Sequence, residues 1–337
     1  MVCGSEGLES NGIAKADDKS DFWILSLSGG GFRGLFTAKI LEHLERMAGC
    51  PLARKFDLIA GTSVGSILAA AVAKELPTER LPGLFIDHGQ DIFKRKSATG
   101  YKGLFKAQYS ADSLKALLTQ EDMLGHTRFQ DLRHRLMIPA VNLTKGSAQY
   151  FKTQHNSRFM SDGRRQLVDA VMASAAAPTY FPIYTFEDQR YADGGLVANS
   201  PALAAIHEAL YILDYQPHQI HVISIGTMNE SMCQDTKVSL DAGVAQWGRS
   251  LVTLPMSAQE TMSDNMAKHI VNDRWIKVDR EITPHIANRV GLDEIGRPAQ
   301  EALKGQAEAA AQEQLNEPLI GKWLKHTANV PTFFNQD

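Results

Sequence analysis

Ser63 lies in a segment whose residue types could carry nucleophilic chemistry. Residues 61–65, Gly-Thr-Ser-Val-Gly, fit the pattern Gly-x-Ser-x-Gly and stand between an apolar run and a run of small residues. In acyl hydrolases such a strand–turn–helix holds the serine on a strained turn, where glycines relieve the crowding. The same residues would also suit a strand that packs closely against a helix. The rest of the sequence must therefore supply a base and an oxyanion hole.

A second glycine-rich segment, residues 29–34 (Gly-Gly-Gly-Phe-Arg-Gly), follows an apolar run and precedes a helical pattern. Consecutive glycines at the start of a helix expose N–H groups that attract an oxyanion or a phosphate. The spacing also fits a dinucleotide-binding turn, but such a site needs an acid at the end of the second strand. Asp57 stands at the beginning of that strand, and no Walker triplet occurs. We therefore favour an oxyanion loop, in which Arg33 braces the loop or binds an anionic substrate.

Asp193 is the candidate base for Ser63. It ends a strand-like segment and is followed by two glycines, which would let its carboxylate approach a neighbouring loop. The order Ser, Asp, His of the α/β-hydrolases could be completed by His207 or His221. His221 falls inside an apparent strand and His207 on a helix, where a histidine is usually structural. The residues alone leave both a Ser–Asp pair and a triad open.

These three segments together resemble the patatin-like phospholipase family. That family carries Gly-Gly-Gly-x-Arg/Lys-Gly, Gly-x-Ser-x-Gly and Asp-Gly-Gly/Ala in this order, which here are residues 29–34, 61–65 and 193–195. Residues 173–182 (ASAAAPTYFP) are similar to the segment that precedes the aspartate in the family. The resemblance covers residues 22 to 230 or so, and it implies a three-layer α/β/α fold.

The resemblance also implies a reaction, the release of fatty acids from membrane phospholipids or related acyl esters. Ser63 would be the nucleophile and Asp193 the general base, in a dyad that lacks histidine. The other motif residues would form the oxyanion hole (Gly29, Gly30, Gly31, Arg33), flank the nucleophile (Gly61, Gly65) and follow the base (Gly194, Gly195). The resemblance implies no metal and no other cofactor.

A narrower resemblance, carried by residues 27–45 and 141–153, is to the bacterial patatin-like effectors of anti-phage systems. Those enzymes are switched on by a cyclic dinucleotide and then degrade membrane phospholipids. Two alternatives remain open: a stand-alone housekeeping lipid acyl hydrolase, and a catalytically silent module that binds lipid or nucleotide on the same fold. The three intact motifs argue against the silent module, because binding alone would not require them all.

The segment 93–106 is a candidate site for such an activator, because it combines basic and aromatic residues. Arg95, Lys96 and Lys102 could pair with phosphates, while aromatic faces could stack on bases. Two other interpretations are a solvated surface and a surface that attracts anionic lipid headgroups.

Alternating strand and helix patterns predict the elements that position these residues. Strands are expected at 22–28, 56–61, 135–144, 148–153, 218–227 and 273–279, and helices from 35, from 66, at 167–177 and at 299–316. Strands joined through helices predict a mainly parallel sheet covered on both faces. We expect a flexible tail over 1–20 and one domain over 21–337, in which 228–270 form a helical insertion. In that insertion Met256, Met262 and Met266 either fill an irregular core or line an acyl channel.

Composition limits the functional classes further. The 337 residues carry 35 Lys+Arg and 38 Asp+Glu, so the net charge of −3 gives no global reason to bind a nucleic-acid polymer. The three cysteines form no metal-ligand or disulfide pattern. The first residues lack the apolar core of a signal peptide, and no apolar run is long enough to span a bilayer. We expect a cytoplasmic protein that contacts the inner membrane surface peripherally; the sequence gives no oligomeric state.

Overall fold

The structure of the protein is a computed structural model that describes residues 20–93, 107–159, 161–228, 247–248, 250–287 and 289–334. Three sequence-based predictions therefore fall wholly or partly outside the described residues. These are the tail over 1–20 (apart from Ser20), the candidate activator residues Arg95, Lys96 and Lys102, and most of the first half of the expected insertion.

A mainly parallel sheet forms the centre of the fold. Its strands are β1 (Phe22–Leu27), β2 (Leu58–Gly61), β3 (Leu136–Asn142), β4 (Ser147–Lys152), β5 (Tyr184–Phe186), β6 (Gln189–Asp193), β7 (Ile220–Ile225) and β8 (Trp275–Val278). Their order is β5-β6-β3-β2-β1-β7-β8, and β4 also pairs with β3. The strands β3, β2, β1, β7 and β8 pair in parallel, whereas every pair that involves β4, β5 or β6 is antiparallel. The predicted mainly parallel sheet is confirmed.

Helices connect the strands and cover the sheet. In the described part of the chain they are α1 (Gly34–Ala48), α2 (Val64–Ala73), α3 (Leu81–Ile86), α4 (Gly89–Ile92), α5 (Asp112–Leu118), α6 (Leu167–Ser174), α7 (Gly195–Ala198), α8 (Ala202–Tyr211), α9 (Ser250–Val271), α10 (Pro284–Ala287), α11 (Arg297–Gln314) and α12 (Pro318–Lys325). None of these helices has the length and apolar character needed to cross a bilayer.

Side chains of β1 enter two separate apolar layers, one on each face of the sheet. Trp23 and Leu25 pack in the layer that contains α1, α2 and α11, whereas Phe22 and Ile24 pack in the layer that contains α8 and α9. All of these side chains are fully buried. Successive side chains of a strand point to opposite faces, so the sheet has helices on both sides. The predicted three-layer α/β/α arrangement is confirmed.

The strand β3 brings β2 and β6 together end to end. One edge of β3 pairs with β4 over residues 137–142. The strands β2 and β6 must therefore both pair with the opposite edge of β3. On that edge β2 pairs with residues 136–137 and β6 with residues 140–142. Since β6 runs antiparallel to β3, its last residue, Asp193, approaches the end of β2. Ser63 follows that end by two residues, so the pairing places both candidate catalytic residues at one point.

The helix α9 accounts for the described part of the expected insertion, and it packs against α7 and α8. The prediction that its methionines fill a core is wrong for Met262 and Met266, which are 55% and 48% exposed. Met256 instead lines a cavity beside Ser63, as the alternative of a channel wall predicts. The buried face of α9 carries Glu260 and Ser263 in its first part and Ala267 and Val271 near its end.

Candidate active site

Ser63 occupies a strained turn between β2 and α2. Its backbone angles are φ 54° and ψ −124°, which lie outside the regions that side-chain-bearing residues ordinarily adopt. The turn aims the side chain at the cavity, and Ser63 keeps 9% of its surface exposed. The N–H of Ser63 donates to Ser174 Oγ at 2.9 Å, and Thr62 Oγ1 donates to the Ala198 carbonyl at 2.6 Å. These bonds hold the strained turn against α6 and α7.

Both glycines that flank the serine are required by close packing. A Cβ at Gly61 would lie 2.1 Å from the Gly65 carbonyl oxygen, and a Cβ at Gly65 would lie 2.4 Å from the Leu27 carbonyl oxygen. These are backbone atoms, so neither clash could be relieved by rotating a side chain. The start of α2 therefore lies directly against β1, as a sharp strand–turn–helix demands.

Asp193 forms a hydrogen-bonded pair with Ser63. Ser63 Oγ donates to Asp193 Oδ2 at 2.7 Å, and the Gly195 N–H donates to Asp193 Oδ1 at 2.6 Å. The carboxylate is fully buried. The chain turns sharply after it because a Cβ at Gly194 would lie 2.2 Å from the Pro139 carbonyl oxygen. The nucleophile and base predicted from sequence are thus within direct proton-transfer distance.

Burial raises the pKa of the Asp193 carboxyl to about 6, although the hydrogen bonds from Ser63 and Gly195 act in the opposite direction. A carboxylate with a raised pKa is a stronger base, so it takes the proton of a serine hydroxyl more readily than an exposed carboxylate would.

The ionised form of Asp193 is the one that can accept a proton, which predicts a pH dependence. We expect kcat/KM for ester hydrolysis to rise about tenfold per pH unit at low pH and to level off above the Asp193 pKa. That pKa of about 6 places the end of the rise near neutral pH. The measurement is a pH–rate profile with a soluble short-chain ester, with circular dichroism at each pH to verify folding.

Asp279 provides the control for this profile, because burial also raises its pKa to about 6. Its carboxylate accepts the Met228 and Arg280 N–H groups and makes no contact with Ser63 or Asp193 within the described residues. Asp279→Asn should leave the rise at low pH in place. A rise that disappears in Asp279→Asn would contradict its assignment to Asp193.

Two residues of the glycine loop (residues 29–34) line the cavity and have backbone amides without a partner in the described part of the chain. The Gly29 N–H donates to the Asn199 carbonyl at 3.0 Å, and the Phe32 N–H donates to the Leu292 carbonyl at 2.8 Å. The N–H groups of Gly30 and Gly31 have no partner among the described residues. Of the residues predicted for an oxyanion hole, Gly30 and Gly31 therefore have amides to offer. The amides of Gly29 and Arg33 are already engaged, the latter with the Gly30 carbonyl, while both residues still line the cavity.

Neither histidine considered for a triad lies at the dyad. His221 pairs in register with Trp23 near the start of β1, and it stacks on that indole at 4.4 Å. Burial and the nearby Lys322 ammonium lower the pKa of His221 to about 4. The His207 ring contacts the Tyr211 ring within α8, in a tilted arrangement. His221 lies near the amino end of β7, whereas Ser63 follows the carboxyl end of the parallel strand β2, so about the length of a strand separates the two. His207 lies on α8, and neither histidine is among the residues that line the cavity.

Asp57 has a structural role and is not placed to serve as the acid of a dinucleotide-binding site. It is 2% exposed, and it accepts the N–H groups of Trp23 and Asn329 and contacts His326 at 2.9 Å. These contacts lie at the amino ends of the strands, away from the glycine loop. The described residues also include no group of three or more metal-ligating side chains.

A cavity of about 640 Å³ opens beside the dyad. One end is polar and contains Ser63, Asp193 and the glycine loop. Most of the remaining lining residues are apolar, with a wall that includes Leu84, Phe85, Phe93, Leu114, Leu117 and Phe181. This volume lies in the range of small-molecule sites, and the contrast between the two ends suits a molecule with one polar reacting group on an apolar chain.

Three residues that the sequence analysis did not single out hold these parts together. Ser174 accepts the Ser63 N–H through Oγ and the Gly194 N–H through its carbonyl oxygen, so it links both halves of the dyad. Asn199 accepts the Gly29 N–H, and Thr227 Oγ1 donates to the Gly29 carbonyl at 2.8 Å. Ser174 and Asn199 stand within the segments ASAAAPTYFP and DGGLVANSP, so proximity to the motifs was an available signal.

Comparison with known proteins finds a matching family and relatives over most of the chain. A family model described as patatin-like phospholipase matches residues 25–206. A cGAMP-activated phospholipase of Pseudomonas aeruginosa is 38% identical over 318 residues, covering 93% of this chain and 95% of that protein. Proteins of the same name from Escherichia coli and Vibrio cholerae are 35% and 32% identical, covering 89% and 88% of this chain and 91% and 92% of those proteins.

Proposed function

The chain belongs to the patatin-like phospholipase family, and on that premise we propose that it hydrolyses the acyl ester bonds of membrane phospholipids when a cyclic dinucleotide activates it. The observation that carries the proposal is the hydrogen bond of 2.7 Å between Ser63 Oγ and Asp193 Oδ2, at the polar end of an apolar cavity. We propose that the protein acts from the cytoplasm as a peripheral enzyme at the inner membrane surface.

Acylation of Ser63 is the first half of the reaction. Asp193 takes the hydroxyl proton as Ser63 Oγ attacks the ester carbonyl carbon, and the carbonyl oxygen becomes an oxyanion. The N–H groups of Gly30 and Gly31 donate to that oxyanion, so they bind the transition state more strongly than the substrate. Collapse of the tetrahedral intermediate breaks the ester bond. The protonated Asp193 gives its proton to the departing alcohol of the lysophospholipid.

Deacylation uses the same groups with water as the nucleophile. Asp193, again ionised, takes a proton from a water molecule whose oxygen attacks the acyl-enzyme carbonyl. The second tetrahedral intermediate places its oxyanion at the same two amides. When it collapses, Asp193 returns the proton to Ser63 Oγ and the fatty acid leaves. Each proton taken by Asp193 is thus returned within the same half-reaction.

The apolar part of the cavity fits the acyl chain of the substrate. This part of the cavity is lined by residues of α3, α4 and α5 and by Phe181, which lies after α6. Transfer of an acyl chain from water into an apolar cavity is favourable by about 0.8 kcal/mol per CH₂ group. Binding of the chain there would place its ester carbonyl at Ser63.

Activation is the part of the proposal that rests on the relatives rather than on the site. The relatives from Pseudomonas aeruginosa and Escherichia coli align over nearly the whole chain and are named for activation by cGAMP. A soluble enzyme that attacks membrane lipids would damage its own cell unless an inactive state predominated without a signal. A ligand that prefers the active state shifts that equilibrium by its differential affinity.

We expect cGAMP to raise the rate of fatty-acid release from phospholipid liposomes by about 5- to 150-fold, the usual range of an allosteric coupling. The experiment compares the purified full chain with and without cGAMP, with a linear dinucleotide of the same bases as the control. Equal release in all three conditions would favour the stand-alone hydrolase. No release in any condition, together with no labelling of Ser63 by a fluorophosphonate, would favour the silent binding module.

Arg95, Lys96 and Lys102 remain, on sequence alone, our candidates for binding the phosphates of the activator. Arg95→Glu or Lys102→Glu should then remove the response to cGAMP while labelling of Ser63 by a fluorophosphonate persists. If these variants respond normally to cGAMP but bind anionic liposomes more weakly, the segment is a membrane-docking surface instead.

A further inference from the structure

A buried carboxylate on α9 accepts hydrogen bonds from side chains beside the glycine loop and beside the Asp193 turn. Glu260 is 3% exposed, and it accepts hydrogen bonds from Ser28 Oγ at 3.0 Å and from Asn199 Nδ2 at 2.6 Å. Ser28 immediately precedes the glycine loop, and Asn199 follows the Asp193 turn by six residues. None of the steps described for hydrolysis uses Glu260, so its burial beside the site needs another explanation.

Asn199 transmits this contact directly to the glycine loop. Its carbonyl oxygen accepts the Gly29 N–H at 3.0 Å. Its side-chain oxygen also packs against Gly29, so closely that a Cβ at Gly29 would lie 2.5 Å from it. Gln259, the neighbour of Glu260 on α9, accepts the Asn199 N–H at 2.9 Å. Two consecutive side chains of α9 therefore fix Asn199, and Asn199 fixes Gly29.

A lysine of the edge strand β8 balances the negative charge of Glu260. Lys277 of β8 donates to Glu260 at 3.1 Å and contacts Asp264 at 2.8 Å. Burial acts to raise the pKa of Glu260, but the Lys277 ammonium and the hydrogen bonds from Asn199 and Ser28 hold it below its ordinary value. A buried, ionised and fully paired carboxylate has a fixed position, because moving it would break several strong bonds at once.

We propose that Glu260 is a positioning residue for the oxyanion hole. Through Ser28 and Asn199 it holds the peptide at Gly29, and thereby the amides of Gly30 and Gly31, where they meet the developing oxyanion. The inference rests on the proposed hydrolase function, since it assigns Glu260 a part in that reaction. It also makes the placement of α9 a determinant of turnover, because displacement of this helix would release the loop.

The test compares Glu260→Ala and Glu260→Gln in the full chain, using a soluble short-chain ester with cGAMP present. Glu260→Ala should lower kcat by about 10- to 100-fold with little change in KM, as expected when reacting groups are misplaced by a fraction of an ångström. Glu260→Gln keeps an oxygen for Asn199 and a polar atom for Ser28, so its kcat should be higher than that of the alanine variant.

A binding measurement separates positioning from general damage to the fold. An alkyl trifluoromethyl ketone adds to Ser63 and places an oxyanion in the hole, whereas a dialkyl ether phospholipid occupies the cavity without reacting. In Glu260→Ala, affinity for the ketone should fall by the same factor as kcat/KM. Glu260 also lines the cavity, so affinity for the ether lipid can change slightly, but it should fall by a much smaller factor than affinity for the ketone. Calorimetry measures both affinities and does not depend on turnover.

Glu208 supplies a matched control, because it is also a buried carboxylate with a lysine partner. It is 1% exposed, and it contacts Lys152 and, at 2.9 Å, His155, outside the contacts of the dyad. Glu208→Ala should lower stability as much as Glu260→Ala while kcat per folded molecule stays at the wild-type value. Equal losses of kcat in both variants would show that any buried charge defect has this effect, and would overturn the inference.

Ser28→Ala keeps the inference falsifiable if Glu260→Ala does not fold. It removes one of the two links, and it should lower kcat and ketone affinity together; in Glu260→Gln the further loss from Ser28→Ala should be smaller than in the wild type. Unchanged kcat and ketone affinity in a folded Ser28→Ala protein would contradict the inference. A wild-type chain that neither hydrolyses the ester nor binds the ketone would instead refute the proposed function.

Discussion

Replacement of Ser63 by alanine, or of Asp193 by asparagine, is expected to lower kcat for phospholipid hydrolysis by about 10⁴-fold or more. Ser63→Ala removes the attacking oxygen. Asp193→Asn keeps the volume of the side chain and an oxygen for the Gly195 N–H, but an amide cannot take the proton that Ser63 gives up. Because the two side chains act as one unit, the double variant should be little slower than either single variant. Fatty-acid release from liposomes with saturating cGAMP measures all three.

His207→Ala is the control for this prediction, because of the two histidines considered for a triad His207 is exposed and His221 is buried. Its ring contacts Tyr211, which is 72% exposed, and the variant should keep the wild-type kcat. A folded Asp193→Asn protein that retains substantial activity would contradict the dyad. A loss in His207→Ala as deep as in Ser63→Ala would support the Ser–Asp–His triad that the sequence left open.

The parallel part of the fold could be predicted because its signals are local. The apolar run at 22–28 became β1, residues 22–27, and the helix expected at 299–316 became α11, residues 297–314. The serine turn also had a local signal, since its pattern lies within residues 61–65 and a Cβ at Gly61 would clash with the Gly65 carbonyl oxygen. The requirement for Gly65, in contrast, comes from Leu27 of β1. Patterns of this kind specify an element without reference to distant residues.

The hairpin of β5 and β6, which delivers Asp193 to Ser63, was predicted only in part. Its turn consists of Glu187 and Asp188, both with positive φ, at 48° and 55°. Two-residue hairpin turns of this conformation usually contain Asn-Gly or Asp-Gly, so Glu-Asp gave no recognisable signal. The strands β6 and β2 lie end to end because both pair with the same edge of β3, whose other edge is taken by β4. No local sequence pattern encodes such an arrangement.

Glu260 could not be identified from sequence at all. It is one of several polar residues in a helix, and its partner Ser28 lies 232 residues away. An apolar stripe predicts which face of a helix is buried, but here the first part of the buried face is polar. The motifs therefore predicted the reacting groups, whereas the side chains that hold them in position emerged from the tertiary structure.

The oxyanion loop gives the second large effect that we expect. Gly30→Ala should lower kcat by about 10²- to 10³-fold, the usual consequence of removing one oxyanion donor. A Cβ at Gly30 would lie 2.0 Å from Thr227 Oγ1, which itself holds the Gly29 carbonyl, so the loop must move away and carry its amides with it. The measurement is kcat with a soluble ester, normalised to the folded fraction from circular dichroism.

Gly305→Ala is the matched control, since Gly305 lies exposed in α11 and a Cβ there would meet nothing within 4 Å. It should leave kcat unchanged and raise stability slightly, because alanine favours a helix over glycine. Thr227→Gly removes the clashing atoms together with the hydrogen bond to the Gly29 carbonyl, so it should restore part of the kcat per folded molecule to Gly30→Ala. A role in folding alone would change only the folded fraction. A folded Gly30→Ala enzyme with wild-type kcat would show that these amides do not bind the oxyanion. Measurable binding of NAD or ATP would return the loop to the dinucleotide-binding alternative.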